Sequence, residues 1–140
     1  MKYTDIIWDF NGTILDDVEA GIRSVNKMLF DRGLPTIKDS EHYRNVFRFP
    51  IKEYYRSLGF DFDAEPYEVL APIWVDEYLK NSKNSPIRDG FLQAFKKFKE
   101  LGARQFVLSA TELKMLKKQL DSLGIGTFFD GVYGDRKSVV

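Results

Sequence analysis

Residues 5–17 read Asp-Ile-Ile-Trp-Asp-Phe-Asn-Gly-Thr-Ile-Leu-Asp-Asp, and this stretch decides the fold. Residues 5–9 form an ungapped, β-rich run of the kind that a buried parallel strand uses. The Asn-Gly-Thr sequence then breaks the run, so the strand is predicted to end in a loop. Asp9 stands where strand and loop meet, which is where ligands bind in open α/β sheets. This loop is therefore the main candidate for a functional site.

The composition indicates a globular protein with a sizeable core, since 44% of the 140 residues are hydrophobic and 15% are aromatic. Lys plus Arg and Asp plus Glu each number 21, so no net charge attracts nucleic acid or an anionic membrane. No uncharged apolar stretch approaches the ~20 residues that cross a bilayer. Cysteine is absent, and the N-terminal residues lack the apolar run of a signal peptide. We expect a cytoplasmic protein that binds neither nucleic acid nor membrane.

Hydrophobic spacing divides the rest of the chain into a helical block and a mixed block. The helical block is predicted to hold helices at about 17–32, 38–47, 50–58 and 64–81. After a Ser/Asn-rich segment, the mixed block is predicted to hold a helix at 91–101, a strand at 104–108, a helix at 113–123 and a strand at about 131–133. This order is typical of a parallel α/β sheet with a helical insertion after its first strand. We predict an α/β core of residues 1–16 and 82–140 with about three strands, and a helical cap of residues 17–81.

The loop sequence resembles the first motif of the haloacid dehalogenase-like (HAD-like) hydrolases, Asp-x-Asp-Gly-Thr-x-x-Asp. Asp9, Gly12, Thr13 and Asp16 match that motif, and Asn11 replaces its second aspartate. The resemblance implies a Rossmann-like HAD core with a helical cap, in the phosphatase-like subgroup. It also implies that Asp9 is a nucleophile forming an aspartyl-phosphate.

The same resemblance implies further site residues. Magnesium would be held by the Asp9 carboxylate and the backbone carbonyl of Asn11, since Mg²⁺ prefers oxygen ligands. Asn11 and Gly12 would surround the phosphate together with Ser109 and Ala110, because the family's second motif places a Ser or Thr hydroxyl on the transferring phosphoryl oxygen. The implied partner is a small phosphorylated metabolite.

Asn11 is expected to limit the reaction. The family's aspartate at this position donates and accepts a proton, and such general acid–base help contributes roughly 10²–10⁴-fold. An amide can do neither, so we expect little or no turnover. On the residues alone, a simple tight turn is the alternative interpretation of Asn11-Gly12, and capping of the following helix is the alternative for Ser109 or Thr111. Asp16 or Asp17 is predicted to cap the first helix of the helical block.

Two further motifs of the family are incomplete in this sequence. Lys137 lies near the stretch where the family carries its third-motif lysine, although a solvated terminal charge is the simpler interpretation. The acidic pair of the fourth motif has no counterpart before Val140. The sequence is compatible with a fragment or with a short protein, and a homo-oligomer is one way to cover the open edge of so small a sheet.

Two alternatives to a phosphatase remain open from the sequence. The replacement at Asn11 and the missing fourth motif favour a non-catalytic binding or interaction protein on a HAD scaffold. A dehalogenase-type or phosphonate hydrolase is the other alternative, since those branches also lack the second aspartate. Dehalogenase-type chemistry needs no magnesium, so metal dependence discriminates it.

Overall fold

The computed structural model describes residues 2–136, and these form two compact units. The sheet unit holds the described residues up to Asp16 and from Pro86 onward, and the helical unit holds Asp17–Ser85. Lys137, which lies near the expected position of the third-motif lysine in the sequence, is outside the described residues.

The sheet unit contains three parallel strands in the order β1-β2-β3, which confirms the predicted α/β fold. The strands are β1 (Asp5–Trp8), β2 (Arg104–Glu112) and β3 (Gly131–Asp135). Ile7 of β1 pairs with Phe106 of β2, and Leu108 of β2 pairs with Tyr133 of β3. Because the strands are parallel, the residues that follow β1 and the end of β2 come to the same edge of the sheet.

Two amphipathic helices, α5 (Phe91–Glu100) and α6 (Leu113–Ser122), pack on one face of the sheet. Side chains on β2 alternate, so that Gln105, Val107 and Ser109 are buried while Leu108 is exposed. The buried core of the sheet unit consists of Phe10, Ile14, Leu15, Phe91, Phe95, Val107, Leu116, Leu120 and Ile125. This core anchors both ends of the loop that follows β1.

The opposite face of the sheet exposes apolar side chains. Ile7 is 66% exposed, Leu108 55% and Tyr133 56%, and they line a shallow groove of about 240 Å³ with Phe106. In the described part of the sheet unit, the helices therefore cover one face only.

The helical unit contains helices and no strand among residues 17–85. Its helices are α1 (Val18–Asp31), α2 (Ser40–Val46), α3 (Ile51–Ser57) and α4 (Tyr67–Ser82). Helices α1 and α4 pack against each other. The buried core of this unit is rich in aromatic and aliphatic side chains, namely Ile22, Val25, Met28, Leu29, Ile37, Tyr54, Tyr55, Phe60 and Leu70. Among the residues that the structure describes, no helix is long and apolar enough to span a bilayer.

The prediction that Asp16 or Asp17 caps the first helix holds for the position of Asp17 but not for a side-chain cap bond. Asp17 occupies the N-cap position of α1 without a side-chain cap hydrogen bond, and its carboxylate accepts a hydrogen bond from the Tyr78 hydroxyl at 2.5 Å. Asp16 pairs with Arg88 at 3.2 Å. The cap of α6 is Glu112, whose carboxylate accepts from the backbone N–H groups of residues 114 and 115. Ser109 and Thr111 do not cap α6, because β2 continues past its predicted end at Leu108 and includes both residues.

Candidate functional site

The loop after β1 closes on itself through backbone hydrogen bonds. The carbonyl oxygen of Phe10 accepts from the N–H groups of residues 13–15 at 2.9–3.2 Å, and the Gly12 N–H donates to the Leu15 oxygen at 2.9 Å. Gly12 has a φ of +73°, a conformation that L side chains rarely adopt. Phe10 and Ile14 are fully buried and fix the loop to the core. The polar side chains between them are thus held on a rigid turn.

Asp9 begins this loop at the carboxyl end of β1, and it is exposed. The Thr13 hydroxyl donates a hydrogen bond to Asp9 Oδ2 at 3.3 Å. This contact spans the turn and restrains the carboxylate from one side. The group predicted to be the nucleophile is therefore positioned by its own loop and accessible to a ligand.

Asn11 contacts the two hydroxyl groups at the end of β2. Thr111 Oγ1 lies 3.0 Å from Asn11 Oδ1, and Ser109 Oγ lies 3.4 Å from the same oxygen. The two hydroxyls also contact each other at 3.0 Å, and the Thr111 N–H donates to Ser109 Oγ at 3.1 Å. We call Asn11, Ser109 and Thr111 the hydroxyl–amide cluster.

The structure brings all five predicted site residues, including Asp9, to one edge of the sheet. Asn11 and Gly12 lie in the loop after β1, whereas Ser109 and Ala110 lie near the end of β2. The contact between Ser109 Oγ and Asn11 Oδ1 joins the two segments across 98 positions of sequence. Ser109 is only 8% exposed, while Ala110 beside it is exposed.

Thr111 is the residue that sequence reasoning missed as a site residue. Its interpretation as a helix cap rested on a predicted strand end at Leu108, whereas β2 extends to Glu112. In a strand, residues two apart face the same side, so Ser109 and Thr111 share one side of β2. This alternation could have identified Thr111 from the sequence, but only if the strand had been predicted to continue past Leu108.

The donors for a hard cation are few in this part of the chain. No group of three or more His, Cys, Asp and Glu side chains within residues 2–136 is arranged to hold a metal ion. Asp9 supplies one carboxylate beside the carbonyl groups of its loop. This donor set fits Mg²⁺ in the way that Mg²⁺ usually binds, through one or two carboxylates with waters and ligand phosphates completing the shell.

Solved structures with similar folds come from several bacteria. A haloacid dehalogenase-like family protein from Streptococcus pneumoniae is 19% identical with a TM-score of 0.76, covering 97% of this chain and 63% of that one. A predicted phosphoglycolate phosphatase from Haemophilus somnus is 16% identical with a TM-score of 0.72, covering 97% and 64%. Protein tyrosine kinase A from Mycobacterium tuberculosis is 19% identical with a TM-score of 0.77, covering 100% and 64%.

At these identities the similarity shows the fold alone. The chain spans about two thirds of the length of the structures it resembles, 63–64% for these three. No curated protein matches the chain significantly. A family model described as haloacid dehalogenase-like hydrolase matches residues 6–138, nearly the full sequence. The chain therefore belongs to the haloacid dehalogenase-like hydrolase family.

Proposed function

We propose that this protein is a phosphatase-like member of its family that uses Asp9 as the nucleophile on a phosphomonoester. The observation that carries the proposal is the position of Asp9, an exposed carboxylate at the carboxyl end of β1 on a self-bonded turn. The hydroxyl–amide cluster at the adjacent end of β2 supports it, since hydroxyl and N–H donors suit a phosphate.

The reaction would proceed in two displacements. An oxygen of Asp9 attacks phosphorus, and the bond from phosphorus to the leaving oxygen breaks, giving an alcohol and an aspartyl-phosphate. Water then attacks phosphorus, which releases inorganic phosphate and restores the carboxylate. Asn11 cannot supply a proton to the leaving oxygen or accept one from water, so both protons would be exchanged with solvent. The turnover is accordingly expected to be slow.

Magnesium is the cofactor we propose for this site. The Asp9 carboxylate and the backbone carbonyl of Asn11 would hold the ion. The Ser109 hydroxyl would contact an oxygen of the transferring phosphoryl group, as the family's second motif does. When bound, Mg²⁺ would offset the negative charge of the phosphoryl oxygens. Gly12 and Ala110 would line the phosphate, because neither carries a side chain large enough to block it.

The substrate class that fits is a small phosphorylated metabolite, with the helical unit acting as a cap that selects it. Two of the similar structures, the predicted phosphoglycolate phosphatase and the tyrosine kinase, are named for reactions at phosphoryl groups. That shared chemistry favours phosphoryl transfer over dehalogenation for this chain as well. Fold similarity does not identify the metabolite.

The test is the thermal unfolding midpoint of the purified protein with magnesium and beryllium fluoride, which mimics a phosphoryl group on a carboxylate. A ligand that binds only the folded state raises the midpoint. We expect a clear rise that is absent without Mg²⁺ and absent in Asp9→Ala. Asp89→Ala, which removes another exposed carboxylate of the sheet unit, is the matched control and should retain the rise.

Two other results would each contradict the proposal and favour a specific alternative function. If inorganic phosphate raises the midpoint equally in the wild type and in Asp9→Ala, the protein binds anions without using the nucleophile, and the non-catalytic binding protein is favoured. That alternative draws on one specific observation, the amide of Asn11 in place of a titrating group. If a haloacid is hydrolysed without any metal, the dehalogenase-type reaction is favoured.

A further inference from the structure

One glycine of β3 faces the irregular part of β2. The pairing of β2 with β3 stops after Leu108 and resumes at Glu112, whereas only Gly134 separates the two partner residues on β3. Residues 109–111 of β2 therefore form a bulge opposite a single glycine. A bulge bends its strand and re-aims side chains, and bulges are frequent beside active sites. This bulge carries both hydroxyls of the hydroxyl–amide cluster.

Gly134 lies so close to β2 that no side chain fits on it. A Cβ atom there would stand 2.7 Å from the carbonyl oxygen of Thr111 and 2.7 Å from Leu113 Cα. Cβ contacts in proteins are essentially never shorter than 3.0 Å, and both neighbours are backbone atoms, which cannot turn aside as a flexible side chain does. Gly134 is not among the glycines with positive φ, so its backbone conformation does not require glycine. The lack of space requires it.

The contacts inside the bulge connect this space to the candidate site. The Thr111 N–H donates to Ser109 Oγ at 3.1 Å, and the two hydroxyl oxygens lie 3.0 Å apart. Both hydroxyl groups contact Asn11 Oδ1 at the edge of the sheet. The N–H and the carbonyl group of Thr111 belong to one residue, so a shift of the carbonyl away from Gly134 also displaces the N–H. The position of the Ser109 hydroxyl therefore depends on the space left at Gly134.

We propose that Gly134 is a positioning residue, which lets the bulge of β2 close against β3 and thereby holds the Ser109 hydroxyl at a phosphoryl group bound by Asp9. This inference rests on the proposed function, in which Ser109 contacts the transferring phosphoryl group. A binding group must be held within about 0.5 Å of its productive geometry. Gly134 has no side chain to offer a ligand, so its effect on binding passes through Ser109.

The close approach is measured first, in the unliganded wild type. Hydrogen atoms on Gly134 and Leu113 are expected to give a strong nuclear Overhauser effect, because the two backbones are in contact. This measurement needs no substitution and no ligand. A folded protein without this signal would lack the contact on which the positioning role depends.

Hydrogen exchange then compares two amides of β2 in Gly134→Ala. The Thr111 N–H should exchange at least tenfold faster, because its hydrogen bond to Ser109 is disturbed. The Val107 N–H, in the regular and fully buried part of the strand, should change much less. A general loss of stability would accelerate both amides. Gly131→Ala is the matched control in β3, since the nearest neighbours of its added methyl group are side-chain atoms.

Ligand affinity is measured with magnesium and beryllium fluoride as the probe. Gly134→Ala is expected to weaken binding about tenfold, as for the loss of one well-placed hydrogen bond, and Gly131→Ala less than threefold. In a Ser109→Ala background the Gly134→Ala change should have no further effect, because the hydroxyl that it positions is gone. If Gly134→Ala does not stay folded in buffer, all variants are compared in trimethylamine oxide, which favours the folded state.

The outcomes separate this inference from the proposed function. Equal acceleration of the Thr111 and Val107 amides makes Gly134 a structural residue only and refutes the positioning role. A loss of affinity that persists at full size in the Ser109→Ala background refutes it as well. If the wild type binds no beryllium fluoride while the Thr111 amide alone responds to Gly134→Ala, the proposed function fails. The ligand part of this inference then fails with it, although Gly134 holds the bulge as described.

Discussion

The two units of this chain use their polar side chains in different ways. In the sheet unit, Asp9 and the hydroxyl–amide cluster lie at the carboxyl ends of strands, where Asp9 is exposed. In the helical unit, polar groups pair inside the packing, as Asp17 does with Tyr78. Asp17 is 7% exposed and Tyr78 is 8% exposed. The difference teaches that an aspartate at the start of a loop is a functional candidate only where the fold leaves it accessible.

The largest effect of any substitution is expected on turnover, at Asn11 of the sheet unit. A carboxyl group introduced there tests whether the accessible loop of this unit is a reactive site. Asn11→Asp supplies the missing acid–base group, and the turnover of a general phosphoester should rise by roughly 10²–10⁴-fold. Phosphate release under saturating substrate and Mg²⁺ measures it. Asn84→Asp makes the same chemical change at an exposed position of the helical unit and should leave turnover unchanged. If Asn11→Asp stays inert while binding beryllium fluoride, a group other than the acid–base residue limits the reaction.

The Asp17–Tyr78 pair should give a large effect on stability. Tyr78→Phe removes the hydroxyl that donates to a buried carboxylate, and the free energy of unfolding should fall by about 1–3 kcal/mol. Urea unfolding measures it. Tyr3→Phe removes a hydroxyl from a side chain that is 65% exposed and should change the stability little.

Tyr78→Phe also tests whether the buried pair of the helical unit affects stability without affecting ligand binding. Since Tyr78 lies in the helical unit, its loss should leave the affinity of the folded protein for beryllium fluoride within about threefold of wild type, a change of well under 1 kcal/mol. A stability loss no larger than that of Tyr3→Phe would contradict the structural role given to the pair.

The contrast also explains what the sequence could and could not predict. Local sequence patterns predicted the strand at residues 5–9, the turn at Gly12 and the helical block. The observed elements agree with these predictions to within a few residues. Asp17 was predicted to cap α1 because a carboxylate before a helix usually does so. Its actual partner, Tyr78, is 61 positions away and has no local signal.

For the candidate site, too, the local parts could be predicted from the sequence and the long-range contacts could not. The motif around Asp9 is contiguous, so a resemblance to a family could be seen in it, and parallel strands bring Ser109 to the same edge. The contact of Thr111 with Asn11 joins residues 100 positions apart. It depends on β2 running past Leu108 into an irregular register, which hydrophobic spacing does not encode.

A smaller effect is expected at Arg32 and Glu65 of the helical unit, and this one depends on pH. Arg32 donates to Glu65 through two nitrogens at 2.8 and 2.6 Å, and this pairing lowers the pKa of the Glu65 carboxyl from its usual 4.5. A carboxyl with a lowered pKa in the folded state stabilises the protein above the pKa of the unfolded chain. That stabilisation is lost as the pH falls through the lower, folded pKa.

Glu65→Gln tests the sign of this effect. The free energy of unfolding should be lower than in the wild type at neutral pH, and the difference should shrink as the pH falls below about 4.5. Urea unfolding over a pH series measures it, with the exposed Glu41→Gln as the control. A difference that grows toward acid pH would mean that Glu65 is destabilised by its surroundings.

The smallest effect is expected at the corresponding pair of the sheet unit, Asp5 and Arg104. Its geometry is equally good, with two hydrogen bonds at 2.7 and 2.9 Å, but the Arg104 and Asp5 side chains are 65% and 42% exposed. Water competes for exposed ion pairs, and at about 1 M salt the screening length falls to roughly 3 Å. Asp5→Asn should therefore destabilise the protein less than Glu65→Gln does at neutral pH, and the loss should vanish at high salt. If Asp5→Asn costs as much as Glu65→Gln, the bidentate geometry that the two pairs share, and not their burial, sets their strength.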